Sequence, residues 1–195
     1  GGIAIAKEGN LPSINVGIGG FGGAGAASGD VGVTHVGNSI TTGNWMHGIM
    51  AQSIAGGGGN GGMNVSGQLN FADSENSGGK KDLTIVAGIG GNGGAGDDAG
   101  DVIITQSGVV TTNGDNSRGV FGQSSGGGGG TGGMNVTGVF AQNSSPISVG
   151  VGGSGDSAGN AGFVVINRGD ESNAAGAINT NGVNAHGIEA SSIGG

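Results

Sequence analysis

Three aspartates close together, Asp97, Asp98 and Asp101, come nearest to a metal site in this chain. The stretch Gly93-Gly94-Ala95-Gly96-Asp97-Asp98-Ala99 matches the opening of the calcium-binding nonapeptide, G-G-x-G-x-D-x. Calcium takes six to eight oxygen ligands, and tandem nonapeptides collect them from consecutive coils. The carboxylate pair occurs once here. A single weak calcium site at Asp97, Asp98 and Asp101 is therefore the most this spacing supports, and no other cofactor is expected.

Gly155-Asp156-Ser157-Ala158-Gly159 fits G-x-S-x-G, the turn that presents a nucleophilic serine. Asp170 and His186 follow it in the chain order of a Ser-Asp-His set. That chemistry needs a strand-to-helix turn, an oxyanion hole and a histidine returned from a distant element. The flanking pattern offers no helix, so Ser157 reads as a loop substitution and no catalysis is expected. G-x-G-x-x-G occurs at Gly17, Gly19, Gly22, at Gly88, Gly90, Gly93 and at Gly150, Gly152, Gly155. A dinucleotide site requires a helix N-terminus after the last glycine, and more glycine follows instead.

These motifs sit in an internal repeat. Gly17-Ile18-Gly19-Gly20 returns as Gly88-Ile89-Gly90-Gly91 and as Gly150-Val151-Gly152-Gly153, first 71 and then 62 residues on. Ile40-Thr41-Thr42 aligns with Val110-Thr111-Thr112 and Ile178-Asn179-Thr180. His47-Gly48-Ile49 aligns with Arg118-Gly119-Val120 and His186-Gly187-Ile188. The opening Gly1-Gly2-Ile3-Ala4-Ile5 aligns with Gly61-Gly62-Met63-Asn64-Val65. The reading is one continuous array: residues 1–12 as the tail of a preceding repeat, 13–82 as repeat 1, 83–146 as repeat 2 and 147–195 as a truncated repeat 3. The chain is expected to be a window on a longer array.

Between the glycine runs, apolar residues alternate: Ile14, Val16, Ile18; Met63, Val65; Ile147, Val149, Val151. Period-2 spacing in β-branched residues bounded by Gly, Asn, Ser and Asp predicts short strands, and no 3.6-residue period predicts a helix. The fold class expected is all-β, a β-solenoid or β-helix-like stack in which aligned Ile and Val form ladders. The expected core is Ile14, Val16, Ile49, Met63, Val65, Ile85, Val102, Val120, Met134, Val136, Val149, Val164 and Ile188. A charge at Val136 is then expected to disrupt folding far more than Ser157→Ala. The glycine runs read as loops or corners with positive φ. Packed polyproline-II-like strands are the alternative.

Other repeated residues are read through the alignment. Arg118 stands between His47 and His186, so that position asks for a polar side chain and no metal is assigned to it. Thr41, Thr42, Thr111, Thr112, Asn179 and Thr180 are expected to stack as an outward ladder, paired across strands. Trp45 lies in a turn with Asn116 near its place, which implies local packing. Asn64-Val65-Ser66 and Asn135-Val136-Thr137 spell a glycosylation sequon and also plain strand alternation, the preferred reading.

Composition sets the outer bounds. Glycine fills 54 of 195 positions, where about 7% is usual, with no cysteine and two prolines. Collagen needs glycine at every third residue and abundant proline, and a disulfide or cysteine-zinc scaffold needs cysteine. Five scattered bases against 13 acids, a net charge of −8, argue against a nucleic-acid partner. No apolar run reaches the ~20 residues of a membrane-spanning helix, so no membrane insertion of this segment is expected.

The motif order GIGGxGGAG…GDV, then I-T-T, then H/R-G-I/V, then QS with GGGGxGGMNV, resembles the glycine-rich repeats of very large bacterial surface proteins. The passenger regions of autotransporter-like adhesins belong to that group. The resemblance covers essentially the whole chain. It implies a secreted, β-rich stalk or fibre at the bacterial cell surface. Its partners would be neighbouring repeats or identical subunits in a filament, and a host or cell-surface ligand if there is one.

Overall fold

The computed structural model describes residues 2–7, 13–71, 82–142 and 144–195. In chain order the first strands are β1 (Gly2–Lys7), β2 (Ser13–Ile18), β3 (Val31–Val36), β4 (Ser39–Thr42), β5 (Ile49–Ile54), β6 (Asn64–Phe71) and β7 (Asp82–Ile89). There follow β8 (Val102–Asn113), β9 (Val120–Ser125), β10 (Asn135–Gln142), β11 (Ser144–Val151), β12 (Val164–Arg168), β13 (Ala175–Asn181) and β14 (Ile188–Ile193). The chain is all-β, with no helix among the described residues. Every pairing is parallel and joins the same element of successive copies, with the middle copy between the other two: β1-β6-β10, β11-β7-β2 and β14-β9-β5. β8 is long enough to pair with β3 and β4 on one side and with β12 and β13 on the other. The sheets are short and none closes on itself.

The register corrects two alignments. Ser39, not Ile40, pairs with Val110, so Thr41 meets Thr112. Gly2 pairs with Ser66 and Ile5 with Leu69, so the opening strand matches the later half of β6 and not Gly61–Val65. Between copies two and three the spacing steps from 62 residues at Phe163 to 68 at Val183. A turn around Asp170 takes up the difference.

The chain divides into two compact units. The second comprises Gly25–Gly57, Gly96–Gly128 and Ala158–Gly195, and it has the expected apolar core. Ile49, Ala51, Val102, Ile104, Val110 and Val120 are buried together, with Val31, Val33, Val164, Ile166 and Ile178 packed against them. Val31, Val102 and Val164 stack in one ladder, and Val33, Ile104 and Ile166 in the next. Gly37 (φ 124°) and Gly108 (φ 90°) stand at the same place in two copies and let the strand direction change where a Cβ is penalised.

The first unit comprises Gly1–Ala24, Gly58–Ala95 and Gly129–Ser157, and its parity is inverted. Its two sheets, β1-β6-β10 and β11-β7-β2, enclose polar side chains: Asn64, Ser66, Gln68, Asn70 and Thr84 are all buried, with Val86 among them. Asn64 Nδ2 donates to Asn135 Oδ1 at 2.8 Å and to Ser66 Oγ at 3.0 Å, and Asn70 Nδ2 to Thr84 Oγ1 at 2.9 Å. The amides of Asn64 and Asn135 lie against Gly17, Gly88 and Gly150, where any Cβ would overlap them. The alternation that puts asparagine inside puts valine outside.

The expected core list is therefore corrected. Ile49, Val102 and Val120 are buried and Ile85 and Val164 half-buried, but Ile14, Val16, Met63, Val65, Met134, Val136 and Val149 are exposed. Ile188 shares the register of Ile49 and Val120, yet it is exposed.

The glycine runs are neither loops nor corners. None of their residues has a positive φ. In the first unit they form two layers of extended chain. Residues 19–24, 90–95 and 152–157 run one way, and 58–62 and 129–133 run the other. Hydrogen bonds zigzag between the layers at 2.6–3.0 Å, from Gly62 N to Gly20 O, Gly91 N to Gly62 O, Gly133 N to Gly91 O and Gly153 N to Gly133 O. A second zigzag, three residues along, joins Gly23, Gly59, Gly94, Gly130 and Asp156. The second unit has the same device at Ala26, Gly56, Asp97, Gly127, Gly159 and Gly195. Three residues per turn is the polyproline-II period. Two positions of each triplet face neighbouring backbones and are mostly glycine, while the third faces solvent and admits Phe21, Ala24, Asn92, Ser154 or Ser157.

Candidate functional site

The residues singled out for chemistry are distributed along the copies as structural parts. Asp97 Oδ1 accepts from the N–H of Asp98 at 2.9 Å. Asp98 Oδ1 accepts from Asn160 N at 2.6 Å, and Asp101 Oδ1 from Phe163 N at 2.8 Å. Among the described residues no three His, Asp or Glu side chains converge as ligands for a metal. The three carboxylates are not brought together; two of them bind the next copy's backbone.

That use recurs, and sequence reasoning missed it. An Asp or Asn of one copy accepts from the backbone N–H of the aligned residue in the next: Asp30 from Asp101, Asn38 from Val109, Asn44 from Asp115, Asp115 from Val183, Asn60 from Thr131 and Asn92 from Ser154. His47 does the same, its Nδ1 accepting from Arg118 N at 3.0 Å. All these bonds point one way along the chain. They lie at turns and glycine runs, where the sheet ladder is interrupted and the N–H would otherwise lose its partner. The only signal was the alignment of Asp30 with Asp101 and of Asn44 with Asp115.

Ser157 occupies a solvent-facing position of a glycine run, and its hydroxyl meets the adjacent Asp156 carboxylate at 3.4 Å. It belongs to the first unit and His186 to the second. The third glycine of each G-x-G-x-x-G continues into extended chain, so no helix dipole is offered to a phosphate. Half of the threonine ladder turns inward, contrary to expectation, while Thr42 and Asn179 are exposed as expected. Thr41, Thr112 and Thr180 donate to the carbonyls of Met46, Ser117 and Ala185 across the same turn, at 2.9, 3.1 and 3.0 Å. The sequon residue Asn64 is fully buried in the polar interior.

Around Arg118 the copies build one outward cluster. Its guanidinium pairs with Glu189 and lies 4.7 Å from the Phe121 ring centroid, and the His47 ring lies 5.6 Å from the same centroid. Burial first, and then the Arg118 charge, lower the His47 pKa against the opposing pull of Glu189. A histidine lowered in the folded state binds fewer protons folded than unfolded between its two pKa values, so stability there rises with pH. Its contribution is full above the unfolded value of about 6.5 and lost as pH falls through the lower folded one. Melting temperature should accordingly fall between pH 7.5 and 5, and His47→Asn, which keeps an acceptor without the titration, should flatten that slope. An unchanged slope in the variant would remove His47 from the account.

The turn that follows β4 holds a strained residue. Trp45 has φ 63° where the other copies have Asn116 (57°) and Asn184 (55°), and it is exposed. Asparagine tolerates this left-handed conformation and a bulky residue does not. Trp45→Asn should stabilise by about 1 kcal/mol, raising the melting temperature by roughly 2–4 °C in a thermal scan. A fall would mean that the indole makes a contact worth more than the strain.

Arg168 and Asp170 flank the inserted turn and are held locally. Arg168 donates to the Gly176 carbonyl, and burial lowers its pKa. The N–H of Ser172 and the side chain and N–H of Asn173 hold the Asp170 carboxyl below its usual range. On the outward face of β6 and β10, Gly67 and Gly138 leave a shallow groove of about 400 Å³ between apolar walls that include Leu69 and Phe140. No family model, curated protein or solved structure matches the chain.

Proposed function

We propose that this chain is a structural repeat segment of an extracellular bacterial surface fibre or adhesin stalk, a β-solenoid extended by stacking further repeats. The observation that carries the reading is the copy-to-copy pairing. Each central strand, β6, β7, β8 and β9, pairs on both sides with the equivalent strands of neighbouring copies, 71 residues before in four of the five ladders and 64 in that of β6, and the glycine zigzags run through all three copies. Such a ladder has no internal reason to stop. The outer strands of every sheet pair on one side only among the described residues, so both ends present the donors and acceptors that the interior already satisfies. The Asp and Asn acceptors give those ends a polarity, which suits head-to-tail growth. Neighbouring repeats, or identical subunits, are the partners. The mechanism is mechanical, and no residue is assigned to catalysis.

Electron microscopy of the purified chain, with fibre diffraction, tests this. Unbranched fibres with an axial spacing near ~4.8 Å per repeat are expected. Discrete globular particles at all concentrations would sink the reading. A second reading, a glycine-rich binding tip that recognises a cell-surface ligand, is favoured by one observation: the runs are ordered as layers, and their solvent positions vary between copies (Phe21, Asn92, Ser154). Adhesion of labelled single particles to intact cells, lost with Phe21→Ser, would select it.

A further inference from the structure

The outward face of the sheet β11-β7-β2 is a grid of aliphatic side chains. Its rows are Ile14–Ile85–Ile147, Val16–Ala87–Val149 and Ile18–Ile89–Val151, with Leu83 beside them. Among the described residues no charged side chain interrupts it. The eight largest exposed members are between 38 and 63% exposed. The grid cannot simply be turned inward, because the opposite face of the same strands carries Gly17, Gly88 and Gly150 against the asparagine amides. A one-residue slip would bury the valines only by destroying those contacts.

We propose that this face pairs with the same face of a second copy of the chain, sheet on sheet. The area is right for it. Eight aliphatic side chains at these exposures offer on the order of 700–800 Å² of accessible surface, against ~800 Å² per partner in a standard interface. The surface relief is right too. Rows of β-branched side chains one strand apart, ~4.8 Å, interdigitate best with rows of the same spacing, which another sheet supplies. A two-fold axis along the direction in which copies stack brings every repeat opposite its mate, so the contact closes as a pair and grows with repeat number. The outward face of β1-β6-β10 is a poorer mate, because the glycine row at Gly67 and Gly138 breaks it with a groove.

Sedimentation equilibrium of the wild-type chain and of Val16→Asp/Val149→Asp tests the pairing. Both positions are exposed, so the double variant should fold, which an unchanged circular dichroism spectrum and a cooperative melt would verify; loss of the pairing itself lowers the melting temperature. The wild type is expected at an even multiple of 18.1 kDa, and the variant at half the wild-type mass. Where fibres form, scanning transmission microscopy should show the variant's mass per length halved at unchanged length. Fibres that disappear while wild-type dimers persist would count against the stalk and not the pairing. Equal masses for the two proteins overturn the pairing. So does wild-type monomer that binds phosphatidylcholine vesicles through the same residues, since the face would then serve lipid.

Discussion

Gly94→Ala is expected to be among the most damaging single methyls that can be added to the first unit. The new Cβ would overlap the Gly23 carbonyl, which is backbone and has no rotamer to move. Relieving the overlap separates two extended chains, and the bonds from Gly94 N to Gly59 O and from Gly130 N to Gly94 O lie in the way. Overpacking costs about 1–3 kcal/mol where side chains can give, and weakening two hydrogen bonds adds about 1 kcal/mol each. A loss of about 3–5 kcal/mol follows, or roughly 6–20 °C in melting temperature for a chain of this size. Gly128→Ala, with nothing near its Cβ, is the matched control and should leave the melting temperature within about 1 °C.

Gly23→Ala separates folding from assembly. Its Cβ meets nothing within 4 Å, because Gly23 belongs to the first copy. In a growing stack it would take the place that Gly94 holds, against the carbonyl of a preceding run. The chain should fold with ordinary stability and fail to join end to end. Fibres of normal length from Gly23→Ala would contradict head-to-tail stacking through the glycine layers, whatever Gly94→Ala does.

Strands, repeats and the absence of helix were legible from period-2 spacing and self-alignment, because both depend only on local order along the chain. Which face of a strand turns inward was not. Met63-Asn64-Val65-Ser66 alternates as cleanly with Asn and Ser inside as with Met and Val inside, and hydrophobicity favours the wrong choice. The deciding fact is non-local: Gly17, Gly88 and Gly150 bring the opposite sheet so close that the amides of Asn64 and Asn135, with the small side chains of Ser66 and Thr137, fill the space between. The glycine runs hid a period of three. In Gly90–Gly96 the two residues that are not glycine, Asn92 and Ala95, are three apart and face solvent or are half-exposed, but one run is too short to show it. Aligned runs make it plain, since Ala24, Ala95 and Ser157 share the outward position. Asp97, Asp98 and Asp101 suggested a cation because carboxylates usually reach for one; the backbone N–H groups of the following copy were invisible without the stack.

The inverted interior makes a prediction opposite to ordinary intuition about polar and apolar residues. Asn64→Leu should destabilise by about 3 kcal/mol although leucine is the better core residue in general. Asn64 is fully buried, and it donates to both Asn135 and Ser66. Asn135 Nδ2 already has no hydrogen-bond partner among the described residues, so loss of the bond to its Oδ1 strands the whole amide. Leucine also carries its branch into the space over Gly17 and Gly88, where the amide lies flat. Val136→Asp, by contrast, should cost under about 1 kcal/mol, because Val136 faces out from a strand paired on one side only. The expectation that a charge at Val136 ruins the fold is thereby reversed. Urea melts of the two variants decide the matter: a larger loss for Val136→Asp than for Asn64→Leu would mean that the valines, not the asparagines, hold these sheets together.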